Sequence, residues 1–233
     1  FFGMRIARVL ADGVTPDFMT ELNVWSQSEQ IDCLYLLLDA GDSQSIDVAE
    51  HNDFHLRDIR MNFQVKRPAE INLLSDDHIR LSYDSDVDPL RQIARTAYSD
   101  TRFYHDPCFP RDKCDAMYET WLVKSLTSDF ATAVLVAELD GQPVGYMSVS
   151  YDAQTQTGQI GLVGVSSEVR GRGIGKRLLQ HTLQWFWQQG ANEVHVVTQG
   201  RNIGAQRLYQ ACGFRTANVA LWYHRWLNPC SPL

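Results

Sequence analysis

The stretch from Gln159 to Lys176, QIGLVGVSSEVRGRGIGK, constrains the fold of this chain more than any other segment. Strand-forming residues lead into a polar turn, then into a loop of arginine and glycine, and then into the start of an amphipathic helix. Glycines in such a loop allow main-chain N–H groups to turn inward, and the N-terminus of the following helix adds partial positive charge. With the Arg170 and Arg172 side chains nearby, the segment predicts a binding site for a pyrophosphate group.

Two common phosphate-binding loops are excluded by the spacing of the glycines. A Walker loop needs glycine five residues before Gly175 and serine or threonine after the lysine, but Arg170 and Arg177 occupy these places. The dinucleotide fingerprint G-x-G-x-x-G is also missing, because Gly171, Gly173 and Gly175 are spaced as G-x-G-x-G. A plain glycine turn between a strand and a helix is the alternative that this stretch alone leaves open.

The pattern that does fit is R-x-x-G-x-G, which runs from Arg170 through Gly173 to Gly175. Between a strand and an amphipathic helix, it resembles the acetyl-CoA pyrophosphate loop of the GCN5-related N-acetyltransferases, the GNAT family. The resemblance implies that acetyl-CoA is the co-substrate, and the sequence gives no reason to expect a metal. The residues that it implies as contacts of acetyl-CoA are Leu162, Val163, Val165, Arg170, Gly171, Arg172, Gly173, Ile174, Gly175, Lys176 and Asn202.

The composition limits the partners of the chain. With a formal net charge of -7 over 233 residues, broad binding to nucleic acid or to anionic membranes is not expected. No apolar run approaches the ~20 residues that a membrane-spanning helix needs, and no signal peptide is visible, so a cytoplasmic location is expected.

The five cysteines are scattered without a C-x-x-C pair, which favours reduced thiols over a disulfide framework or a zinc site. The chain begins at Phe1 without methionine, which is consistent with missing N-terminal residues.

The predicted elements divide the chain into two units. Residues 1–70 predict a small α/β domain, with a helix from Thr15 to Gln30 and a buried strand from Cys33 to Leu38. Residues 79–227 predict a strand, two helices, three strands, a helix, a strand, a helix and terminal strands, with a hairpin turn at Asp140-Gly141. This order over about two-thirds of the chain resembles the GNAT fold. We therefore expect an α/β (mixed-sheet) GNAT acyl-CoA N-acyltransferase domain at 79–227 after a small α/β N-terminal domain at 1–70.

Asn202 and Tyr209 stand seven residues apart on a predicted helix, so they share one face two turns apart. With Ala205 and the following Gly213-Phe214, they resemble the GNAT pattern N-x-x-A-x-x-x-Y followed by GF. In the family, the asparagine contacts the pantetheine arm of acetyl-CoA and the tyrosine hydroxyl lies near the thioester sulfur. The resemblance therefore implies that Tyr209 is the general acid that protonates the leaving thiolate. The alternative is that Tyr209 is a core aromatic residue.

Acetyl transfer to an amine also requires stabilisation of a developing oxyanion and a base for the amine proton. Backbone N–H groups of the strand from Leu162 to Val165 are expected to stabilise the oxyanion, and Gly164 is consistent with a β-bulge there. By resemblance, Val163 and Val165 pair with the pantetheine amides as an added strand. The base is left open between a water chain to bulk solvent and four side chains, which are Glu168, His105, Asp106 and His224.

The loop between the first two helices of the second unit carries the candidate acceptor-binding residues Arg102, Phe103, Tyr104 and His105. An arginine there suits a diphosphate, and an aromatic ring suits stacking on a base or a sugar. The alternative is that this loop only packs the two units together.

The whole chain is similar to one branch of the GNAT family, which acetylates the 4-amino group of dTDP-4-amino-4,6-dideoxy-galactose on the way to enterobacterial common antigen. The segments that carry the similarity are the Phe1-Phe-Gly3 opening, the stretch from Tyr98 to Trp121, and Ala220-Leu-Trp-Tyr-His224. The resemblance implies an amino sugar linked to a nucleotide as the acceptor, and it suggests a homodimer.

Two classes of function remain open from the sequence. The first is an acetyl-CoA-dependent N-acetyltransferase with a dTDP-linked amino sugar as acceptor, or with a peptide N-terminus or a polyamine instead. The second is a non-catalytic acyl-CoA-binding or regulatory module. The phenol of Tyr209 favours the first class, because a module that only binds CoA has no need of a proton donor at the sulfur.

Overall fold

The computed structural model describes residues 1–71, 75–128 and 130–228. Within these residues, nine strands form one mixed sheet and six α-helices pack on its two faces. The strands are β1 Ile6–Arg8, β2 Cys33–Asp39, β3 His55–Lys66, β4 Ile79–Leu81, β5 Ala133–Leu139, β6 Gln142–Asp152, β7 Thr157–Val165, β8 Glu193–Gln199 and β9 Arg215–Trp226. The helices are α1 Pro16–Ser28, α2 Ser43–Glu50, α3 Val87–Ala97, α4 Arg111–Thr127, α5 Ile174–Gln189 and α6 Ile203–Ala211. This mixed α/β architecture confirms the predicted fold class.

The sheet runs in the order β1-β2-β9-β3-β8-β7-β6-β5-β4. Parallel pairing joins β1 to β2 and β7 to β8, and the other neighbours are antiparallel. Strand β3 belongs to the first predicted unit, yet it lies between β8 and β9 of the second. One sheet therefore runs through both predicted units. The sheet has no break that corresponds to the boundary between the predicted domains at 1–70 and 79–227. The two-domain division therefore stays a prediction.

Alternation along the strands assigns the helices to opposite faces of the sheet. On β5, Val136 packs with α3 and α4, whereas its neighbour Ala137 packs with α5. Because successive side chains of a strand point to opposite faces, α5 lies on the face opposite to α3 and α4. At the other end of the sheet, α1 and α2 pack against Leu34 and Tyr223. Helices thus cover the central strands on both faces. A binding site is therefore expected where neighbouring strands of the sheet separate.

Turn chemistry fixes the chain reversals near the site. Asp140 and Gly141 have φ angles of 52° and 74°, the left-handed pair of a type I′ hairpin turn, which confirms the predicted hairpin. Helix α5 begins directly after Gly173 and ends directly before Gly190, and the φ angles of these two glycines are 76° and 96°. Since side chains with a Cβ are strained in this conformation, the two glycines set where the helix starts and stops.

The expectation that the cysteines are all reduced is wrong for Cys108, which is disulfide-bonded. Cys33, Cys114 and Cys212 are free thiols, as expected, and Cys230 lies outside the described residues. Spacing along the sequence gives no sign of which thiols meet in space, so the scatter of the cysteines did not predict their oxidation state. Among the described helices, none combines the length and the apolar character needed to cross a membrane.

Candidate active site

Strands β7 and β8 separate part of the way along their length. They pair in parallel from Thr157 with Glu193 to Ile160 with Val196, and within the described residues their pairing goes no further. Strand β7 continues along β6 as far as Val165. The result is a wedge-shaped gap in the sheet, with β7 on one side and β8 on the other.

A β-bulge lies where this gap opens. Gly161 and Leu162 of β7 together face Ser148 of β6, and the Leu162 N–H donates to the Ser148 hydroxyl at 2.7 Å. The bulge expected at Gly164 is therefore wrong, because Gly164 pairs regularly with Tyr146. Glycine is needed at 164 for space instead, since a Cβ there would lie 2.6 Å from Cε1 of the Tyr146 ring.

The main-chain groups of Val163 and Val165 point into the gap. The Ser166 N–H donates to the Val144 carbonyl of β6 at 2.8 Å, and the alternation of an antiparallel pair directs the main-chain groups of Gly164 to the same side. The N–H and C=O groups of Val163 and Val165 therefore face away from β6, towards the space that β8 leaves. An extended chain of amides can add to such an edge as a further strand.

A cavity of about 510 Å³ lies between this edge and the N-terminus of α5. Gly171 and Gly173 on its wall have φ angles of 79° and 76°, and a Cβ at either position would meet no atom within 4 Å. Backbone conformation, not space, therefore requires glycine there, as an inward-turned anion loop predicts. The predicted contacts of acetyl-CoA that line this cavity are Val163, Val165, Arg170, Gly171, Gly173, Ile174, Gly175, Lys176 and Asn202.

Two of the predicted acetyl-CoA contacts lie elsewhere. Arg172 is exposed and does not line the cavity, and Leu162 lines the neighbouring one instead. Arg177, which follows the loop, is held by an ion pair with Asp76 at 3.1 Å. The cationic side chains on the wall of the cavity are thus Arg170 and Lys176, and their charges complement that of a pyrophosphate.

A second cavity of about 250 Å³ lies against the separated halves of both strands. Strand β7 contributes Leu162 and Val163 to its wall, and β8 contributes Thr198. Ala205 and Leu208 of α6 line both cavities, so the two spaces meet along this helix. Together they form a channel from the glycine loop to the interior of the sheet.

Asn202 stands at the junction of the two cavities and lines both. Its side-chain oxygen accepts a hydrogen bond from the Ala205 N–H at 3.0 Å, so it is also the N-cap of α6. The cap occupies the oxygen of the side chain and leaves its amide N–H groups to donate to a ligand carbonyl. One residue thus fixes the start of the helix and offers a donor to the channel.

Tyr209 lines the second cavity although only 3% of the residue is exposed. Its ring packs against Phe63 and Phe214, with centroids 6.0 and 5.8 Å away. Among the described residues, its hydroxyl has no hydrogen-bond partner. Burial raises the pKa of this hydroxyl, so the phenol keeps its proton at neutral pH. The side chain is therefore both a core aromatic and a proton-bearing group on the cavity wall.

The predicted acceptor loop places only part of its side chains at the cavities. Arg102 and Phe103 line the second cavity, although Phe103 is 5% exposed and packs within an aromatic core. The Tyr104 hydroxyl donates to the Asp115 carboxylate at 2.5 Å, and His105 is exposed on the surface. Neither Tyr104 nor His105 lines either cavity. Arg102 is thus the side chain of this loop best placed to contact an acceptor.

The four side chains considered as bases do not line either cavity. Glu168 and His105 are exposed, while Asp106 and His224 are buried against each other with Oδ2 and Nδ1 2.6 Å apart. The Trp226 indole N–H donates to the same Asp106 oxygen at 3.0 Å. Burial works to raise the pKa of Asp106, but hydrogen bonds from His224 and Trp226 bring it below its usual value. This pair ties the loop to β9 and has no access to a substrate.

Sequence reasoning missed Asp100, which is partly buried and lines both cavities. Among the described residues of the two walls, it is the one carboxylate. Its place two residues before Arg102 is the sequence signal that points to it. A carboxylate at the junction of the two spaces has the chemistry of a proton acceptor.

Two curated relatives carry names from sugar metabolism. The chain is 25% identical over 230 residues to dTDP-fucosamine acetyltransferase of Escherichia coli O6:H1, which covers 97% of this chain and 93% of that protein. It is 27% identical over 142 residues to spore coat polysaccharide biosynthesis protein SpsD of Bacillus subtilis, which covers 60% of this chain and 48% of that protein.

Solved structures share this fold at low sequence identity. A GCN5-related N-acetyltransferase from Sphaerobacter thermophilus aligns with a TM-score of 0.65 at 17% identity, over 93% of this chain and 69% of that one. A conserved protein of unknown function from Staphylococcus epidermidis aligns with a TM-score of 0.68 at 14% identity, over 94% of this chain and 83% of that one. These alignments confirm the expected acetyltransferase fold.

The family model of the acetyltransferase (GNAT) family matches residues 90–214. This range covers more than half of the chain and includes the glycine loop, Asn202, Tyr209 and the Gly213-Phe214 turn. The match therefore contains both cavities' principal walls. The chain belongs to the GNAT family of acetyltransferases.

Proposed function

We propose that the protein transfers the acetyl group of acetyl-CoA to the primary amine of a nucleotide-linked amino sugar. The favoured acceptor is the 4-amino group of dTDP-4-amino-4,6-dideoxy-galactose. The observation that carries the proposal is the channel formed by the two cavities, which joins an anion-binding loop to a protonated phenol. The similarity to a dTDP-fucosamine acetyltransferase over 97% of this chain supports the choice of acceptor, and the name of SpsD points to carbohydrate chemistry as well.

The first cavity is assigned to acetyl-CoA because it combines a glycine loop, two cationic side chains and a free strand edge. The N–H groups of the glycine loop and the N-terminus of α5 hold the pyrophosphate, with added charge from Arg170 and Lys176. The free edge of Val163 and Val165 pairs with the amides of the pantetheine arm, and Asn202 donates to one of its carbonyls. When bound, acetyl-CoA supplies an acetyl group activated as a thioester.

The second cavity holds the groups that assist the transfer. The amine attacks the carbonyl carbon, and a backbone N–H that faces the gap, that of Val163 or Val165, stabilises the negative charge that develops on the carbonyl oxygen. As the C–S bond breaks, the Tyr209 hydroxyl donates to the sulfur. Burial raises the pKa of Tyr209, so the phenol carries its proton when the C–S bond begins to break and can supply it to the sulfur as charge builds there. Asp100, directly or through a water molecule, accepts the proton that the amine loses.

A panel assay tests this proposal. Release of free CoA from acetyl-CoA is measured with dTDP-4-amino-4,6-dideoxy-galactose, spermidine and short peptides as acceptors. Selective turnover of the dTDP-sugar is the expected result. Turnover of peptides or of spermidine instead would keep the acetyltransferase and reject the sugar. Tight binding of acetyl-CoA without turnover of any amine would favour the non-catalytic module.

The oligomeric state is part of the same proposal. The homodimer that the family resemblance suggests is measured by size-exclusion chromatography with light scattering on the purified chain. A mass near twice that of the 26.6 kDa chain is expected, and a mass equal to one chain would remove the dimer from the proposal.

A further inference from the structure

Three arginines without ion-pair partners lie on the sheet face beside the second cavity. They are Arg8 of β1, Arg60 of β3 and Arg102 of the loop before α4, and we call them the arginine triad. Among the described residues, no carboxylate oxygen lies within 4.0 Å of any of their guanidinium nitrogens. In a chain with a net charge of -7, three such cations on one face are a local exception.

Trp222 of β9 connects the members of the arginine triad. The guanidinium carbon of Arg102 lies 4.2 Å from the centroid of the Trp222 ring, and that of Arg8 lies 5.3 Å from it. Arg60 is paired with Ala220, two residues before Trp222 on the same strand and therefore on the same face. The charge of Arg60 interacts with those of both Arg8 and Arg102.

The triad is only partly supplied with acceptors: the Nε of Arg60 donates to the Asn62 side-chain oxygen at 3.0 Å, but the Nε of Arg102 has no acceptor. The Nε of Arg102 and the hydroxyl of Tyr35, over whose ring Arg102 lies at 5.2 Å, are both buried without a hydrogen-bond partner. Buried polar groups in folded proteins are nearly always paired. Burial lowers the pKa of Arg102, and burial and then Arg8 lower that of Arg60. A bound anion would accept a hydrogen bond from the Arg102 Nε. It would also offset the repulsion among the three guanidinium groups.

The neighbouring carboxylate is already occupied. Asp58, whose charge interacts with Arg102, accepts a hydrogen bond from the Ile59 N–H at 2.9 Å and lies 3.9 Å from Arg201. The main-chain N–H of Arg102 also acts on this carboxylate, but Asp58 forms no ion pair with a guanidinium group of the triad. Asp58 therefore leaves the three guanidinium groups able to pair with an anion from a ligand.

The arginine triad lies within reach of the site of transfer. Arg102 lines the second cavity, and Arg60 is paired directly with Gln199 of β8, which lines the same cavity. From β8 across β3 to β9 is two strand spacings, or ~10 Å. A molecule with its amine beside Tyr209 can therefore extend across β3 to Trp222 and the triad.

We propose that the arginine triad binds a phosphate group of the acceptor. Phosphate oxygens accept several charge-assisted hydrogen bonds, and the planar guanidinium group suits them. This inference rests on the proposed function and deepens it, because it makes the acceptor an amine that carries a phosphate about 10 Å away. It also makes the face repel polycations such as spermidine.

Calorimetric titration of dTDP tests the triad without relying on turnover. The protein is first saturated with CoA, so that the glycine loop is occupied. Saturable binding of dTDP is expected, with an affinity that falls as salt is added and with no binding of thymidine. Arg8→Ala and Arg60→Ala are each expected to weaken it about tenfold or more. Arg60→Lys is expected to fall between, because it keeps the charge but loses the planar fork.

Arg215→Ala is the matched control, since Arg215 is an exposed arginine of β9 outside the triad. Its affinity for dTDP is expected to equal that of the unchanged protein. Because Arg8 is exposed, Arg8→Ala keeps the test valid even where Arg60→Ala disturbs folding. Equal binding of pyrophosphate and dTDP would support a site for phosphate alone, and tighter binding of dTDP would support one for the nucleotide.

Two results separate this inference from the proposed function. Triad-dependent binding of dTDP without turnover of the dTDP-sugar would keep the phosphate site and reject the favoured acceptor. Turnover of the dTDP-sugar with the same KM in Arg60→Ala and in Arg8→Ala would keep the function and overturn the triad. Binding of dTDP that is unchanged in both variants would overturn it as well.

Discussion

Gly164 packs against the ring of Tyr146, which is fully buried and whose hydroxyl is 2.8 Å from that of Tyr98. The contact and the hydrogen bond link β7, which borders the channel, to Tyr98 at the end of α3. An added methyl group at 164 would lie 2.6 Å from Cε1 of the ring, and the hydrogen-bonded ring cannot simply swing away. The contact therefore fixes the distance between β7 and α3.

Gly164→Ala is expected to lower the free energy of unfolding by about 1–3 kcal/mol, because it overpacks this contact. Urea denaturation followed by circular dichroism measures the change. The control is Gly204→Ala in α6, where the new Cβ would lie 3.8 Å from the nearest atom, Oδ1 of Asn202. The control is expected to be neutral or slightly stabilising, and equal stability of the two variants would contradict the packing argument.

Tyr209→Phe is expected to reduce kcat on the order of 10²–10⁴-fold while the Kd for acetyl-CoA stays the same. The substitution removes the hydroxyl but keeps the ring between Phe63 and Phe214. Steady-state kinetics and calorimetry measure the two quantities. Tyr83→Phe, at an exposed tyrosine that lines neither cavity, serves as the control. An unchanged kcat in Tyr209→Phe would reject the proton-donor role.

Gly173→Ala is expected to weaken the binding of acetyl-CoA by roughly 5–30-fold, which corresponds to the ~1–2 kcal/mol cost of left-handed backbone at a residue with a Cβ. The free protein relaxes that strain by rearranging the loop, and binding has to restore it. Calorimetric titration with acetyl-CoA measures the loss.

Gly3→Ala is the matched control for this experiment. Gly3 has a φ angle of 75°, and a Cβ there would also meet nothing within 4 Å, but the residue lies outside the channel. The control introduces the same backbone strain and is expected to leave the Kd unchanged. A similar loss of affinity in both variants would mean that strain in general, rather than the loop, weakens binding.

Asp100→Asn is expected to lower kcat on the order of 10²-fold, because the variant cannot accept the proton of the amine. The affinity for acetyl-CoA is expected to stay the same. Asp77→Asn changes an exposed aspartate and should leave kcat as it is. If Asp100→Asn kept full activity, the proton would leave by a water chain instead.

The free energy of unfolding is expected to fall as the pH drops below about 6.5, the usual pKa of histidine in an unfolded chain. Burial lowers the pKa of His224 in the folded protein, and the nearby Asp106 does not restore it. The unfolded chain therefore binds a proton that the folded chain does not, so acid favours unfolding. Urea titrations between pH 5 and 8 measure this dependence.

His224→Gln is expected to flatten this pH dependence, while His78→Gln, at an exposed histidine, is expected to keep it. The comparison uses the slope of the free energy against pH, so a uniform loss of stability in His224→Gln does not affect it. A slope that is the same in both variants would assign the acid sensitivity to other groups.

Local sequence chemistry predicted the parts of the site that depend on local backbone conformation. The left-handed pair at Asp140 and Gly141 follows from residues that tolerate that conformation, and so does the loop at Gly171 and Gly173. The helix that carries Asn202 and Tyr209, which is followed by Gly213, was also predicted from the local sequence.

Contacts between distant segments were beyond the reach of sequence reasoning. The bulge at Gly161 depends on the Ser148 hydroxyl of another strand, and the burial of His224 depends on Asp106, 118 residues away. The arginine triad is formed by residues from β1, β3 and a loop, so no spacing along the chain reveals it. Arg102 was predicted because its loop was recognised, whereas Arg60 was not.

The position of β3 between β8 and β9 has a consequence for the synthesis of the chain. Asn62 of β3 is bonded to Asn218 of β9 across 156 residues of sequence, so the ribosome makes the two strands roughly 10–30 seconds apart at the usual rate. Both neighbours of β3 are translated after it, and its two edges stay unpaired during that interval. An unpaired edge is a template for pairing with other chains, so β3 is exposed to misassembly until β8 and β9 have been made.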